Sequence, residues 1–575
     1  MPHHEFTRRP RTAYFSMEIA LGQGIQTYSG GLGILAGDTL RSAADLSVPM
    51  VGVTLVSRHG YFRQQLDAEG WQSESDDGWE PERFASRLDS KVALTIAGRQ
   101  VWISGWLHVL GGTFDGRLPV ILLDTRRDEN HPDDRAITDH LYGGDETYRL
   151  KQEMVLGFGG VRMLRALGFE IRQHHMNEGH SAFLALELML RDAYLPEELR
   201  PGEPRYDLPK VRDLCIFTTH TPVEAGHDKF DYGLVEATMG SLVDLPTLRQ
   251  LAGEQQLNMT RLALNLSEYV NGVAKRHAEV SRQNFPGYRI HAVTNGVHPA
   301  TWTAPSFQRL YDHHLPGWCH EPELLSRADQ ITDAEIWAAH EEAKAALIAR
   351  IVQLTGVRFH PKLPIIGFAR RMTAYKRPAL LFSDLARLRA IAGSYPLQIV
   401  LAGKAHPHDQ EGKGLIQALH GWIKALEDEI PIAFLPNYDM ELGQLLTSGS
   451  DLWLNTPLRP LEASGTSGMK CGVNGCLNLS ILDGWWREGY DGTNGFGIGD
   501  DSHPENVEEQ DRRDSANLYR TLTEKVIPTF FNRDTAGLPR QWIRMIRRAM
   551  ATLVHQYSTD RMVKEYATRY YQPDR

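Results

Sequence analysis

The most constraining feature of this chain is a rhythm. Short apolar runs rich in β-branched residues alternate with amphipathic stretches along most of its length. In the first half, RTAYFSME (11–18), PMVGVTLVS (49–57), VWISGWLHVL (101–110), LPVILLDT (118–125), VRDLCIFTTH (211–220) and YRIHAVTNG (288–296) read as strands. ETYRLKQEMVLGFGGVRMLRALG (146–168) and SAFLALELMLRDAYL (181–195) between them read as helices. The second half is cleaner, with LPIIGFARR (363–371), LQIVLAGK (397–404), IPIAFLPNY (430–438), DLWLNTP (451–457) and CLNLSILD (476–483), each followed by a helical segment. Strands alternating with helices of about ten to fifteen residues mean βαβ units and mainly parallel sheets. The expected fold class is α/β, with two doubly wound Rossmann-like domains facing a cleft. The Pro-, Gly- and His-rich stretch near 300–325 suggests the hinge. The expected division is 1–310, 311–535, and a C-terminal helix over 536–575 crossing back to the first domain.

Composition removes several classes. A chain of 575 residues that is 42% hydrophobic can bury large cores without metal or disulfide staples. Lys plus Arg number 62 against 72 Asp plus Glu, a formal charge of −10. A nucleic-acid or anionic-membrane binder would show a basic surplus instead. Cys215, Cys319, Cys471 and Cys476 fit neither a zinc knuckle nor a CxxC motif, so free thiols in a cytoplasmic protein are expected. The apolar stretch at the N-terminus is short and interrupted by Glu18, unlike a signal peptide or a membrane span.

Chemistry concentrates in NTPLRPLEASGTSGMKCGVNGCLNLSILDG. Small residues running from a loop into a helix leave backbone N–H groups bare, and these can cradle an anion. Glu462 stands before the Ser464–Gly465–Thr466–Ser467–Gly468 run and Lys470 behind it. The segment is similar to one in retaining two-Rossmann glycosyltransferases that carry two glutamates eight positions apart; here Lys470 holds the second place. An ammonium cannot accept hydrogen bonds from a ribose diol, whereas a buried lysine can form a Schiff base.

EASGTSGMK therefore resembles the pyridoxal-phosphate lysine motif of the α-glucan (glycogen, starch or maltodextrin) phosphorylases, with NTPLRPLEASGTSGMK and LDGWW closest to the short prokaryotic-type branch. YSGGLGILAGDTL resembles the family's glycine loop, in which Gly30, Gly31 and Gly33 let amides approach a phosphate. ARRMTAYKRP resembles its phosphate-binding pattern, with Arg371 and Lys376 on inorganic phosphate and Arg370 toward the cofactor phosphate. His220 in FTTHTP and Asn295 in VTNGVHP match residues that contact the glucosyl unit. HHMNEGHSAF matches a wall of the site, while Tyr438 and Lys404 match positions near the cofactor ring and the cleft. A zinc reading of His174, His175 and His180 lacks a carboxylate or Cys partner at helical metal spacing, and no metal is expected. Trp485 and Trp486 read equally as a sugar platform or as core.

The resemblance implies phosphorolysis of the non-reducing-end glucose of an α-1,4-glucan, giving α-glucose 1-phosphate with retention. It implies pyridoxal 5′-phosphate on Lys470, its 5′-phosphate serving as proton relay, with Arg370, Thr466, Ser467, Gly468 and Tyr438 around it. Glu462, Asn295, Ser464, Gly465 and Lys404 would hold substrate. The absence of an obvious carboxylate acid–base pair agrees with that relay. Glucan and phosphate are the implied partners, and a homodimer is the family-level expectation. The alternative is a nucleotide-sugar-dependent α-glucosyltransferase of glycogen-synthase type, which Lys470 disfavours.

Overall fold

The run TAYFS is buried at every position, as expected for a strand covered on both faces, and forms the central strand Thr12–Ser16 of a nine-stranded sheet. The structure is a computed structural model describing residue 6 and residues 10–223, 226–499 and 506–571. The chain divides into two units: Met1–Phe62 with Asp76–Thr294 and Met562–Arg575, and Arg63–Ser75 with Asn295–Arg561. The architecture is mixed α/β with mainly parallel sheets.

In the first unit the sheet runs His291–Ala292, Tyr269–Gly272, Cys215–Thr218, Gln173–Asn177, Thr12–Ser16, Met50–Leu55, Arg117–Asp124, Arg99–Gly111 and Ser86–Ile96. The first seven strands are parallel, and the last two close the edge as an antiparallel hairpin. Ala97 and Gly98 turn that hairpin with φ of 50° and 74°, the mirror-image geometry that matches strand twist. Helix Gly31–Asp45 packs so closely on the sheet that a Cβ on Gly52 would sit 2.9 Å from Leu40. The segment from Met562 belongs to this unit. Tyr566 Oη donates to or accepts from Thr218 Oγ1 at 3.2 Å and accepts from Asn271 Nδ2 at 2.9 Å, while Tyr571 Oη lies 2.6 Å from His175 Nδ1.

The second unit holds six parallel strands ordered Ile432–Leu435, Gln398–Ala402, Ile365–Ala369, Leu452–Asn455, Leu477–Ile481 and Phe496–Ile498. Counted along the chain this is 3-2-1-4-5-6, so the order reverses between Ile365–Ala369 and Leu452–Asn455. Loops leaving the carboxyl ends of those two strands diverge and leave room for a ligand. Asp451 sets their register: it accepts from the Ile365 N–H at 2.8 Å, pairs with Lys344 at 2.7 Å and lies 3.0 Å from His340 Nε2. Burial pushes the Asp451 carboxyl up, but Lys344 and His340 outweigh it and hold it at about 2. Helix Asp333–Thr355, which carries Lys344 and His340, starts with a Thr332–Glu335 capping box and stops at left-handed Gly356.

Several elements differ from the sequence reading. Strands Ser86–Ile96, Gln173–Asn177, Tyr269–Gly272 and Phe496–Ile498 are additional, and the run 211–220 is helical through Asp213. The C-terminal stretch is two helices, Arg540–Leu553 and Thr559–Arg569, not one. Between them Tyr557 C=O and Thr559 N–H bond to Val297, and this bridge requires extended backbone. Pro299, Pro305 and Pro322 each open a helix, so the stretch near 300–325 is ordered within the second unit, and the division falls between Thr294 and Asn295. All four cysteines are free. Among the described residues no helix is long and apolar enough to cross a membrane.

Burial depresses the His175 imidazole to about 3. The unfolded chain takes up that proton below about pH 6.5 whereas the native protein does not, so stability present above pH 6.5 is lost on acidification toward pH 3. The stability gap between wild type and His175→Asn should therefore narrow by about 2 kcal/mol between pH 7 and pH 5, as read by denaturant or thermal unfolding.

Candidate active site

In the second unit Arg370, Lys376 and Glu462 meet beyond the reversal point. Ile365–Ala369 delivers Arg370, and the loop after Leu452–Asn455 delivers Glu462. The Glu462 carboxylate accepts from Lys376 Nζ at 2.7 and 2.9 Å and pairs with Arg370 at 2.8 Å. Its backbone N–H donates to Asp483 at 2.9 Å. Burial favours the neutral acid, but Arg370 and Lys376 outweigh it and leave the carboxyl below its ordinary value. One buried carboxylate thus balances two cations, and an arriving anion would compete with it. Arg371, one residue beyond Arg370, is exposed.

Arg377 does a different job. Its guanidinium donates to the Thr456 and Pro457 carbonyls at 2.8 and 2.9 Å and to Asp511 and Asp514, each at 2.7 Å. It clips the loop carrying Glu462 to the segment carrying Lys376. The sequence reading counted it only as part of a positive cluster.

Lys470 is buried in the short helix Ser467–Cys471, its Nζ 3.3 Å from the ring centroid of Trp302. Asn474 holds the pair in place by donating to the Trp302 and Lys470 carbonyls at 2.7 and 2.9 Å. A Cβ on Gly443 would meet Tyr438 Oη at 3.0 Å and the Trp302 ring at 3.7 Å, so both side chains lie over Gly443. Burial pushes the Tyr438 hydroxyl well up, with Asp439 raising and Arg370 lowering it. Gly465 has φ of 84°, and a Cβ on Gly468 would come within 2.6 Å of Asn478 Oδ1, so both positions exclude larger residues. Thr466 precedes the helix without a side-chain capping bond, and Ser467 Oγ accepts from Trp453 Nε1 at 3.1 Å. Lys404 follows Gln398–Ala402, its carbonyl accepting from Met372.

Buried polar atoms of this unit go without hydrogen-bond partners, among them Ser464 Oγ, Thr373 Oγ1, Asn455 Oδ1, Asn478 Nδ2 and Asn295 Oδ1. Such atoms cost free energy unless something else satisfies them. Trp485 and Trp486, by contrast, are fully buried against each other with Trp486 Nε1 bonded to the Phe496 carbonyl, which decides for core over platform.

In the first unit the ends of Thr12–Ser16 and Gln173–Asn177 form the corresponding reversal. The amides of Ser29 and Gly30, at the start of the glycine loop's helix, donate to Glu18 at 2.6 and 3.0 Å. A Cβ on Gly33 would strike Glu18 at 2.6 Å, while Gly31 is open. An internal carboxylate therefore takes part of the loop's anion-binding capacity.

His220 Nε2 lies 2.6 Å from Asn177 Oδ1, and Asn177 Nδ2 donates to Ser16 Oγ at 3.0 Å; this assigns the His220 proton to Nε2. The His220 N–H and Thr221 Oγ1 donate to Glu178 at 2.8 and 2.9 Å. Glu178 itself has φ 75° and ψ 166°, a region close to glycine-only, and these hydrogen bonds offset the strain. Burial, then His277, His175 and His180, depress His220 to about 3, so it is neutral at physiological pH. His174, His175 and His180 do not converge: His175 bonds Thr218 and Tyr571, and His180 Nε2 is 3.3 Å from Asp228. Glu18, Glu178, Trp302, Asn474 and Asp483 went unnoticed in the sequence as site-shaping residues. Carboxylates just past strand ends were the available signal for the two glutamates.

Residues 235–495 match a family model described as Phosphorylase: Carbohydrate phosphorylase. The maltodextrin phosphorylase of Thermococcus litoralis is 38% identical over 97% of this chain and 70% of its own length. A glycogen phosphorylase of Mycobacterium bovis is 38% identical over 98% of this chain and 70% of its own, and one of Aquifex aeolicus is 35% identical over 99% and 87%.

The ion cluster gives a direct test. Glu462→Gln strands two buried cations, so it should cost about 3–5 kcal/mol of stability in phosphate-free buffer. Inorganic phosphate should restore part of the lost melting temperature, and do so more for the variant than for wild type, as read by differential scanning fluorimetry.

Proposed function

Since the chain belongs to the carbohydrate phosphorylase family, we propose that it is an α-1,4-glucan phosphorylase. It uses orthophosphate to release the non-reducing-end glucose of an α-glucan as α-glucose 1-phosphate with retained configuration. The observation that carries this reading is the Arg370–Glu462–Lys376 cluster at the strand reversal, in the same unit as a buried Lys470 where a nucleotide-sugar enzyme would place a glutamate. The reversed sheet order of the second unit supports a two-Rossmann, GT-B-type architecture.

The residues around Lys470 suit pyridoxal 5′-phosphate. The amine is buried, and Ser464 Oγ, Asn455 Oδ1 and Asn478 Nδ2 lack partners within the protein. Lys470, Arg370, Thr466, Ser467, Gly468 and Tyr438 would hold it. When bound, the cofactor supplies a phosphate able to give and take a proton near neutral pH.

The chain's own residues supply charge and orientation. Lys376 and Arg371 bind inorganic phosphate, and Arg370 offsets the repulsion between anionic groups. Glu462, freed from part of its ion pairing by an incoming phosphate, accepts hydrogen bonds from glucose hydroxyls. Asn295 Oδ1 accepts another, and the Ser464–Gly465 backbone and Lys404 line the substrate. In the first unit His220, kept neutral with Nε2 protonated and fixed by Asn177, orients a sugar oxygen without adding positive charge.

Borohydride reduction of the purified protein followed by peptide mapping should label Lys470; a label elsewhere, or none, would refute the cofactor assignment. Incubation with maltodextrin and phosphate should release glucose 1-phosphate without any nucleotide sugar. Lys376→Ala and Arg371→Ala should each weaken use of phosphate by about ten- to a hundredfold, the worth of a charged hydrogen bond. Unchanged phosphate kinetics in both variants would remove that assignment. His220→Asn should lower kcat while leaving the acid limb of the pH profile between pH 5 and 7 in place, because His220 does not titrate there.

A further inference from the structure

His59, Asp76 and His140 belong to three separate segments of the first unit and take no part in the site above. Each offers one ligand-type atom, and these atoms lie within 4.8 Å of one another. His59 Nδ1 is 2.9 Å from one Asp76 oxygen, and His140 Nδ1 is 3.9 Å from the other. The two imidazoles stack at 4.7 Å with 22° between their planes, so both Nδ1 atoms face the same carboxylate.

Backbone bonds tie the three segments together. The His59 N–H donates to the Asp139 carbonyl at 2.8 Å, the Asp77 N–H to the His59 carbonyl at 3.1 Å, and the Leu141 N–H to the Gly60 carbonyl at 2.9 Å. Gly60 has φ of 63°, and a Cβ there would lie 2.7 Å from the Asp77 carbonyl oxygen, so the turn presenting His59 tolerates only glycine. The donors are therefore placed by backbone, not by long flexible arms.

A second carboxylate stands behind the first ring. Asp139 is buried, with Oδ2 3.9 Å from His59 Nε2 and 2.7 Å from Arg126, while its Oδ1 has no hydrogen-bond partner. Asp139 stands on the Nε2 side of His59 at 3.9 Å, beyond hydrogen-bond reach, and pairs with Arg126, whose Nη2 lies 3.5 Å from His59 Nε2.

We propose that His59, Asp76 and His140 bind a divalent first-row transition ion, with zinc as its representative and water in the open positions. Two imidazole nitrogens and one carboxylate oxygen form a borderline donor set, which suits zinc, cobalt or nickel better than magnesium or calcium. With bonds of about 2.1 Å, tetrahedral donors lie about 3.4 Å apart, and one donor atom from each of the three residues lies within 4.8 Å of the others. Side-chain exposures of 32%, 61% and 43% leave an entry path from solvent.

The test uses the full-length protein stripped with a chelator and dialysed against micromolar zinc chloride with excess magnesium chloride. One zinc per chain should remain, and cobalt in its place should give a visible d–d band. His140→Ala and Asp76→Asn should each weaken zinc binding at least tenfold. The proposal is overturned if wild type retains no stoichiometric zinc and shows no cobalt band. It is equally overturned if a folded His59→Ala/His140→Ala double variant keeps wild-type zinc affinity.

Discussion

A carboxylate without access to water anchors the second unit. Asp451 takes the Ile365 amide, the Lys344 ammonium and the His340 ring, and its own backbone bonds reach Ile365 and Leu477. Three neighbouring parallel strands are thus keyed at their starts. A slip of one residue would turn every side chain to the opposite face of its strand. Arg370 and the Glu462 loop leave the far ends of two of these strands, so the meeting of Glu462 with Arg370 and Lys376 rests on that register. An ion at the start of the sheet sets the spacing of the ions at its end.

How much of this was legible depends on how each residue is covered. Apolar runs such as IIGFA and QIVLA, buried on both faces, announce themselves as strands. QHHMN does not, because its two histidines look polar. They are buried as neutral rings, His175 between Tyr571 and Thr218 and both depressed chiefly by desolvation, so hydropathy misreads a central strand. Ser86–Ile96 failed for the opposite reason: an edge strand with one wet face keeps its charged residues. Prolines misled too, since Pro299, Pro305 and Pro322 start helices where a local reading sees breaks.

The candidate site was readable where chemistry sits in one contiguous segment. EASGTSGMK singled out Glu462 and Lys470 as candidates, and YKR singled out Lys376. Partners from distant segments were not readable. Trp302 beneath Lys470, Asp483 on the Glu462 amide and Glu18 in the glycine loop meet their partners only through the fold. Arg377 shows the converse limit, for adjacency to Lys376 suggested a shared role, while its four acceptors make it a clip. Glu178 could not have been anticipated at all. A glutamate in backbone space usually left to glycine is intelligible only once its three acceptor contacts are seen.

The indole beneath Lys470 has an optical consequence. Trp302 lies in van der Waals range of the one amine expected to carry a conjugated ring. Any near-ultraviolet absorber joined to that nitrogen would sit close enough to drain the excited state of this tryptophan with high efficiency. Trp302 is one of twelve tryptophans, so loading of that nitrogen would dim part of the chain's total indole emission.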